Sequence, residues 1–146
     1  MEPAAAWLVR RDPLSVIEFT VLGKPVTQPR QKFCRNGHSY TPDNGIVAYR
    51  EAIALAAKAA GASPIERAPL TLEIHWVFER PKSHFKANGE LNPRTALPLP
   101  PGDGSNYLKG VEDALNGIAW KDDVQIGKWN LSKEYGQEAR TTVRIS

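Results

Sequence analysis

The sequence predicts an α+β fold: a single layer of mixed β-sheet with packed helices, in the order β-loop-α-β-loop-α-β-β. Three observations support it. Val16–Leu22 and Leu70–Phe78 alternate in side-chain character with a period of two. Asn44–Ala60 and Ser105–Asn116 place apolar residues at helical spacing. The chain closes on two strand-like runs, Asp123–Tyr135 and Ala139–Ile145, separated by Gly136. At 146 residues it is long enough for one core and too short for two ordinary domains. A loosely attached tail is expected over 1–14, ahead of a single domain over 15–146.

In the first strand Ile17, Phe19 and Val21 face one way, and Gly23-Lys24-Pro25 ends it. Residues 24–43 are rich in proline and cations and read as a long loop, a length that in a compact domain usually carries function. Asp43 or Asn44 can cap the first helix, and Gly61 is placed to stop it. Its many alanines favour helix and permit close approach to a sheet. Leu70, Leu72, Ile74, Trp76 and Phe78 form the inward set of the second strand. Pro81–Gly102 holds Pro93, Pro98, Pro100 and Pro101 with an Asn88-Gly89 turn, so it reads as a flap. Leu108, Val111 and Leu115 form the buried stripe of the second helix, and Gly117 ends it.

A content of 41% hydrophobic and 24% charged residues is that of a globular protein rather than a disordered one. No apolar run approaches the roughly 18 residues a membrane span requires, and the first residues lack the basic-then-apolar pattern of a secretory signal. One cysteine, Cys34, allows no internal disulfide. A cytoplasmic protein is expected. Gly23 and Gly117 build no phosphate-cradling loop, so no nucleotide or other organic cofactor is expected.

The net charge is only +3, but its distribution is uneven. Arg30, Lys32 and Arg35 follow the first strand, and Arg80, Lys82, His84 and Lys86 follow the second. Acids concentrate over residues 103–123. Basic flanks around an acidic centre suit a protein that holds a polyanion and places a metal at one phosphate; two solvated loops of mixed charge would look the same.

Within that acidic stretch, Ser105, Lys109, Asp113 and Asn116 share one helix face, opposite the apolar stripe. Asp103 precedes the first turn, and Asp122 and Asp123 stand where the chain re-enters a strand. Were that strand to start beside the helix N-terminus, Asp103 and Asp123 would converge with Lys109 on a site for a hard ion such as Mg²⁺. Each piece has a plainer reading. Asp103 or Ser105 can be an N-cap, Lys109–Asp113 an ordinary ion pair, and Asp122-Asp123 a turn.

The run Asp103-x-x-Asn106-x-x-Lys109-x-x-x-Asp113-Ala114-Leu115-Asn116-Gly117, followed by Trp120-x-Asp122-Asp123-x-Gln125, resembles the RusA family of Holliday junction resolvases. The likeness extends to Gly23-Lys24-Pro25 through Arg30, to Arg80-Pro81-Lys82-Ser83-His84, and to Lys133-Glu134-Tyr135, so it covers most of 16–145. It implies a RusA-like fold, a phage or prophage homodimer and paired Mg²⁺-dependent nicks across four-way DNA, with Mn²⁺ as a substitute ion. It also implies catalytic roles for Asp103, Asp123 and Lys109. Two features depart from the pattern. Ser105 stands where the family carries a second aspartate, and a hydroxyl is a poorer Mg²⁺ ligand than a carboxylate. Pro101-Gly102 replaces a basic residue and proline. Three outcomes follow for Ser105: activity with weaker metal affinity, a chain that binds branched DNA without cutting it, or Asp122 taking up the missing role. An unrelated basic adaptor, its acids only caps and turns, is a further alternative.

Other residues carry less. Glu73 and His75 share a strand face; a further acidic metal ligand is conceivable there, but the plainer reading is solvated sheet surface. Trp76, Trp120 and Trp129 read as core or dimer-interface residues.

Overall fold

The computed structural model describes residues 16–29, 32–40, 43–66 and 68–146. The expected tail over 1–14 and the candidate Arg30 lie outside the described residues. The elements run β1 (Ile17–Leu22), a short hairpin of β2 (Lys32–Phe33) and β3 (Ser39–Tyr40), α1 (Ile46–Ala59), β4 (Leu70–Glu79), α2 (Gly104–Leu115), β5 (Ile126–Gly136) and β6 (Arg140–Ile145). Single 3₁₀ turns occupy Lys82–His84 and Asp123–Gln125. This is the expected α+β order, with a two-stranded ribbon added inside the first long loop.

The main sheet is mixed, in the order β1-β6-β4-β5. β6 pairs antiparallel with both β1 and β4, whereas β4 and β5 run parallel from Leu70↔Ile126 to Glu79↔Gly136. A parallel neighbour needs a crossover, and α2 with its flanking segments supplies it. One sheet face is apolar: Phe19, Val21, Leu70, Leu72, Ile74, Trp76, Phe78, Val143 and Ile145 are buried against α1 and α2. The two-residue alternation read from β1, β4 and β6 is therefore the division between covered and open faces.

The helices pack on this face through Ile46, Tyr49, Ile53 and Ala57 of α1 and Tyr107, Gly110, Val111, Ala114 and Leu115 of α2. Gly110 brings them close, since a Cβ there would stand 3.1 Å from Ile46 Cδ1. Beneath α1, Trp76 Nε1 donates to Tyr49 Oη at 3.3 Å, and Tyr49 Oη lies 2.7 Å from Thr141 Oγ1. A buried hydroxyl costs free energy unless bonded, and this chain satisfies three elements at once. Burial raises the Tyr49 pKa.

The opposite face is polar and bonds to itself. Arg144 pairs with Glu73 at 3.7 Å, and His75 bonds Ser132 and Glu134 across the β4–β5 ladder. Glu73 and His75 thus stand half-buried on this open face, each bonded to cross-strand partners. Trp76 and Trp120 are core residues, whereas Trp129 remains 47% exposed. Among the described residues no helix is long and apolar enough to cross a membrane.

Candidate active site

Helix α2 starts at a fixed point. Lys133 of β5 donates its ammonium to the carbonyls of Pro100 and Gly102 at 2.7 and 2.6 Å, and Tyr107 Oη donates to Pro101 O at 3.3 Å. Gly102 has φ +99°, and a Cβ would approach the Tyr107 ring to 3.0 Å. Only glycine suits that combination of left-handed backbone and close ring. Directly after it, Asp103 occupies the N-cap position in extended backbone, but its carboxylate makes no capping bond. The plain N-cap reading of Asp103 is not realised, and the side chain stays exposed.

Ser105, Asn106, Lys109, Asp113 and Asn116 are all exposed, as the helical spacing requires. Among the described residues Lys109 forms no ion pair with Asp113 or any other acid, so its ammonium is available to a ligand. The same turns bring in an acid that the sequence reading passed over. Glu112 is half-buried and accepts a hydrogen bond from Trp129 Nε1 at 3.2 Å. Burial raises its pKa, opposed by the Trp129 bond; Asp123 and Asp113 add to the rise, and Lys109 lowers it. Asp123 therefore lies within electrostatic reach of the Lys109–Asp113 stretch of α2. The position of Glu112, three residues after Lys109 on the flank of the polar face, was the available signal.

The two adjacent aspartates after α2 have different occupations. Asp123 Oδ1 accepts from Trp120 Nε1 at 2.6 Å, and Trp120 is fully buried. Asp122 caps the 3₁₀ turn, accepting from Val124 N at 3.1 Å, while Gln125 Oε1 accepts from the amides of Lys121 and Asp122, both at 3.0 Å. Gln125 Nε2 then donates to Ile65 O and Ala68 O, tying the turn to the segment before β4. Asp-x-x-Gln is the acidic variant of the capping-box pattern, so this turn was legible in the sequence. It also moves the start of β5 from the expected Asp123 to Ile126.

Metal fit can be tested on these side chains. Among the described residues no three Asp, Glu, His or Cys side chains form a group able to hold an ion. Mg²⁺, however, keeps several waters and commonly takes one or two carboxylates together with substrate phosphates. Asp103, the second oxygen of Asp123 and the Ser105 hydroxyl are hard donors of the right kind, although few. Asp122 likewise keeps one oxygen beyond the one that caps the turn, so this bonding does not rank it below Asp123.

The expected phosphate contacts divide into two groups. Lys32, Arg35, Lys82 and Lys86 are exposed. His84 is corrected: only 4% of it is accessible, because its ring packs edge-on against Tyr135 at 5.3 Å. A side chain so enclosed does not reach a backbone phosphate. Arg80 sits with its guanidinium 4.3 Å from the Tyr135 ring centroid and donates to Leu97 O at 2.8 Å. Its first task is to hold the 81–102 flap onto β5.

Comparison with known sequences agrees with this architecture. Residues 23–146 match the family described as Endodeoxyribonuclease RusA. The chain is also 34% identical over 137 residues to a protein of Bacillus subtilis (strain 168) named "Uncharacterized protein YqaN", covering 90% of this chain and 96% of that one. With the matched region running from just after β1 to the last residue, and so over both helices and the candidate acids, the chain belongs to the RusA endodeoxyribonuclease family.

Proposed function

We propose that the protein is a Mg²⁺-dependent, structure-selective DNA endonuclease that resolves four-way junctions by paired nicks as a homodimer. The observation that supports this most directly is the exposed face of α2 in a RusA-family chain. There Asp103 caps nothing and Lys109 forms no ion pair among the described residues, so both are left to a substrate. Two-fold symmetry would present two equivalent sites to a substrate of near two-fold symmetry.

Asp103 and Asp123 would hold the ion, with Ser105 as a weaker oxygen donor. When bound, Mg²⁺ supplies an acidified water and offsets charge on the scissile phosphate. Lys109 would donate to a non-bridging phosphate oxygen as negative charge grows there. Trp120 fixes Asp123 Oδ1 and leaves the other oxygen free. Lys133 and Tyr107 hold the 100–102 strap, and with it Asp103, in place. Arg30, Lys32, Arg35, Lys82 and Lys86 would follow the phosphate backbone, each neutralised phosphate contributing about −0.9 to the slope of log affinity against log salt.

The test is cleavage of a labelled four-way junction across a Mg²⁺ or Mn²⁺ titration. Symmetric nicks that require the ion are expected; intact arms at every metal concentration, without binding, reject the proposal. A second reading, a junction-binding protein with impaired chemistry, draws support from Ser105 and from the lack of a three-acid group among the described residues. Tight, salt-sensitive binding without nicks would favour it.

A further inference from the structure

We infer that the β2–β3 hairpin is a nucleobase-stacking element, and that Phe33 and Tyr40 engage unstacked bases at the branch point of the DNA. The inference rests on the proposed junction-binding function. Three independent observations carry it.

The first is exposure. Phe33 is 75% accessible and Tyr40 50%. The ladder pairs Lys32 with Tyr40 and Phe33 with Ser39, so each face of the ribbon carries one aromatic ring. No single packing event against the protein's own core could cover both faces. Flat π-surfaces on both sides of a narrow ribbon suit insertion between bases, which offer such surfaces above and below.

The second is charge. Between Lys24 and Pro42 the sequence contains Lys24, Arg30, Lys32, Arg35 and His38, and no Asp or Glu. Aromatic rings interleaved with cations are the composition of a single-strand nucleic-acid surface. The turn is also ordered for the task. Cys34 N donates to His38 O at 2.7 Å, Gly37 N to Cys34 O at 3.1 Å, and His38 N to Asn36 Oδ1 at 3.2 Å. Gly37 has φ +87° in an Asn-Gly tip.

The third is placement. The root of the hairpin is fastened to α2, because Gln28 N donates to Asn106 O at 3.2 Å. Asn106 lies between Asp103 and Lys109. Arg50 of α1 holds Gln28 Oε1 at 2.6 Å, and Asn44 Nδ2 donates to Thr27 O at 3.1 Å. The chain four residues before Lys32 is therefore tied beside Asp103 and Lys109, which keeps the ribbon within a few residues of the candidate active site along the sequence. Paired duplex offers few free base faces, whereas a four-way crossover offers them at its centre, so this element would favour branched over linear DNA.

The experiment places 5-iododeoxyuridine either at the branch point or mid-arm of a four-way junction, with Ca²⁺ replacing Mg²⁺. It then maps photo-crosslinks on the full chain by peptide mass. Crosslinks to Phe33 or Tyr40 from branch-point positions only are expected. In parallel, Phe33→Ala and Tyr40→Ala are each expected to lower junction affinity by about 5- to 100-fold, the range that stacking on one base supports. Linear duplex affinity should change little, and Phe33→Trp should retain junction preference. Equal crosslinking from mid-arm sites, or unchanged junction preference in both alanine variants, overturns the inference and leaves the junction reading intact. Conversion of a dimer to a monomer by either alanine variant also overturns it, by making the ribbon a contact between copies. Failure of the unaltered chain to bind junctions removes the inference and the underlying reading together.

Discussion

The indole of Trp120 donates to Asp123 Oδ1 at 2.6 Å from a ring with no exposed surface. A buried donor thus holds one oxygen of Asp123, a carboxylate that adds to the electrostatics of Glu112 on α2. Asp122, next to it, faces a turn instead. Of two chemically identical neighbours, one is held by a buried indole and the other caps a turn.

Trp120→Phe keeps much of the burial and removes the donor. Hydrogen bonds to charged groups contribute about 1.5–3 kcal/mol, so a loss of that order in unfolding free energy is expected by urea denaturation, with some addition from lost volume. Mn²⁺ affinity, followed by electron paramagnetic resonance, should weaken because Asp123 becomes free to rotate. Asp123→Asn should abolish metal binding and leave junction binding in gel shifts within a few-fold.

Ser105→Asp places a carboxylate at the position where the resemblance implies one. Replacing a hydroxyl by a charged oxygen ligand should lower the Mg²⁺ concentration for half-maximal cleavage by at least tenfold, about 1.4 kcal/mol. A metal titration of nicking rate measures it. If the metal requirement does not move, Ser105 is not near the ion.

Lys133→Met removes the ammonium that holds the Pro100 and Gly102 carbonyls. The strap before Asp103 should loosen, so cleavage rate should drop several-fold more than junction affinity. Amide hydrogen exchange should rise over residues 100–105 and not over β4. Uniform loss of protection would indicate a general folding defect instead.

Glu112 gives a pH-dependent prediction. Burial raises its pKa above the usual value of 4.5. The folded state therefore holds this proton more tightly than the unfolded chain does. The penalty is absent below the unfolded value and grows as pH rises through the window between the unfolded and the raised folded values. Glu112→Gln keeps an oxygen for Trp129 Nε1 and removes the charge. Its melting temperature should match the parent in acid and equal or exceed it at neutral pH.

Tyr49→Phe leaves Trp76 Nε1 and Thr141 Oγ1 without their buried partner. A cost of about 1–3 kcal/mol is expected for such unsatisfied groups. Metal affinity should be unchanged, since the network lies under α1.

How much of this was legible depended on whether a signal was periodic. The apolar alternation of β4 and the stripe of α2 gave those elements to within one residue, because burial on one face repeats along the chain. The β2–β3 ribbon has two residues per strand and no buried face, so no period existed to detect. Asp122 and Gln125 form a cap, so the plainer reading of Asp122-Asp123 as a turn is the one realised. His84 stood in a basic loop, and only the placement of Tyr135 on the neighbouring strand shows that it is enclosed.

By itself the amino-acid order determined the α+β architecture, the exposed face of α2 and the family resemblance that the wider comparison then established, because these depend on residues near one another along the chain. Only the tertiary structure decided which aspartate a buried tryptophan would hold, which histidine a tyrosine would cover, and that Lys133 anchors the start of α2. The first, the Trp120–Asp123 bond, spans only three residues and was decided by the burial of the Trp120 ring. The last two are contacts between elements tens of residues apart, set by the parallel placement of β5 beside β4 and the packing of α2 across them. No local pattern encodes a distance between such partners; the assembled four-stranded sheet and its covering helices do.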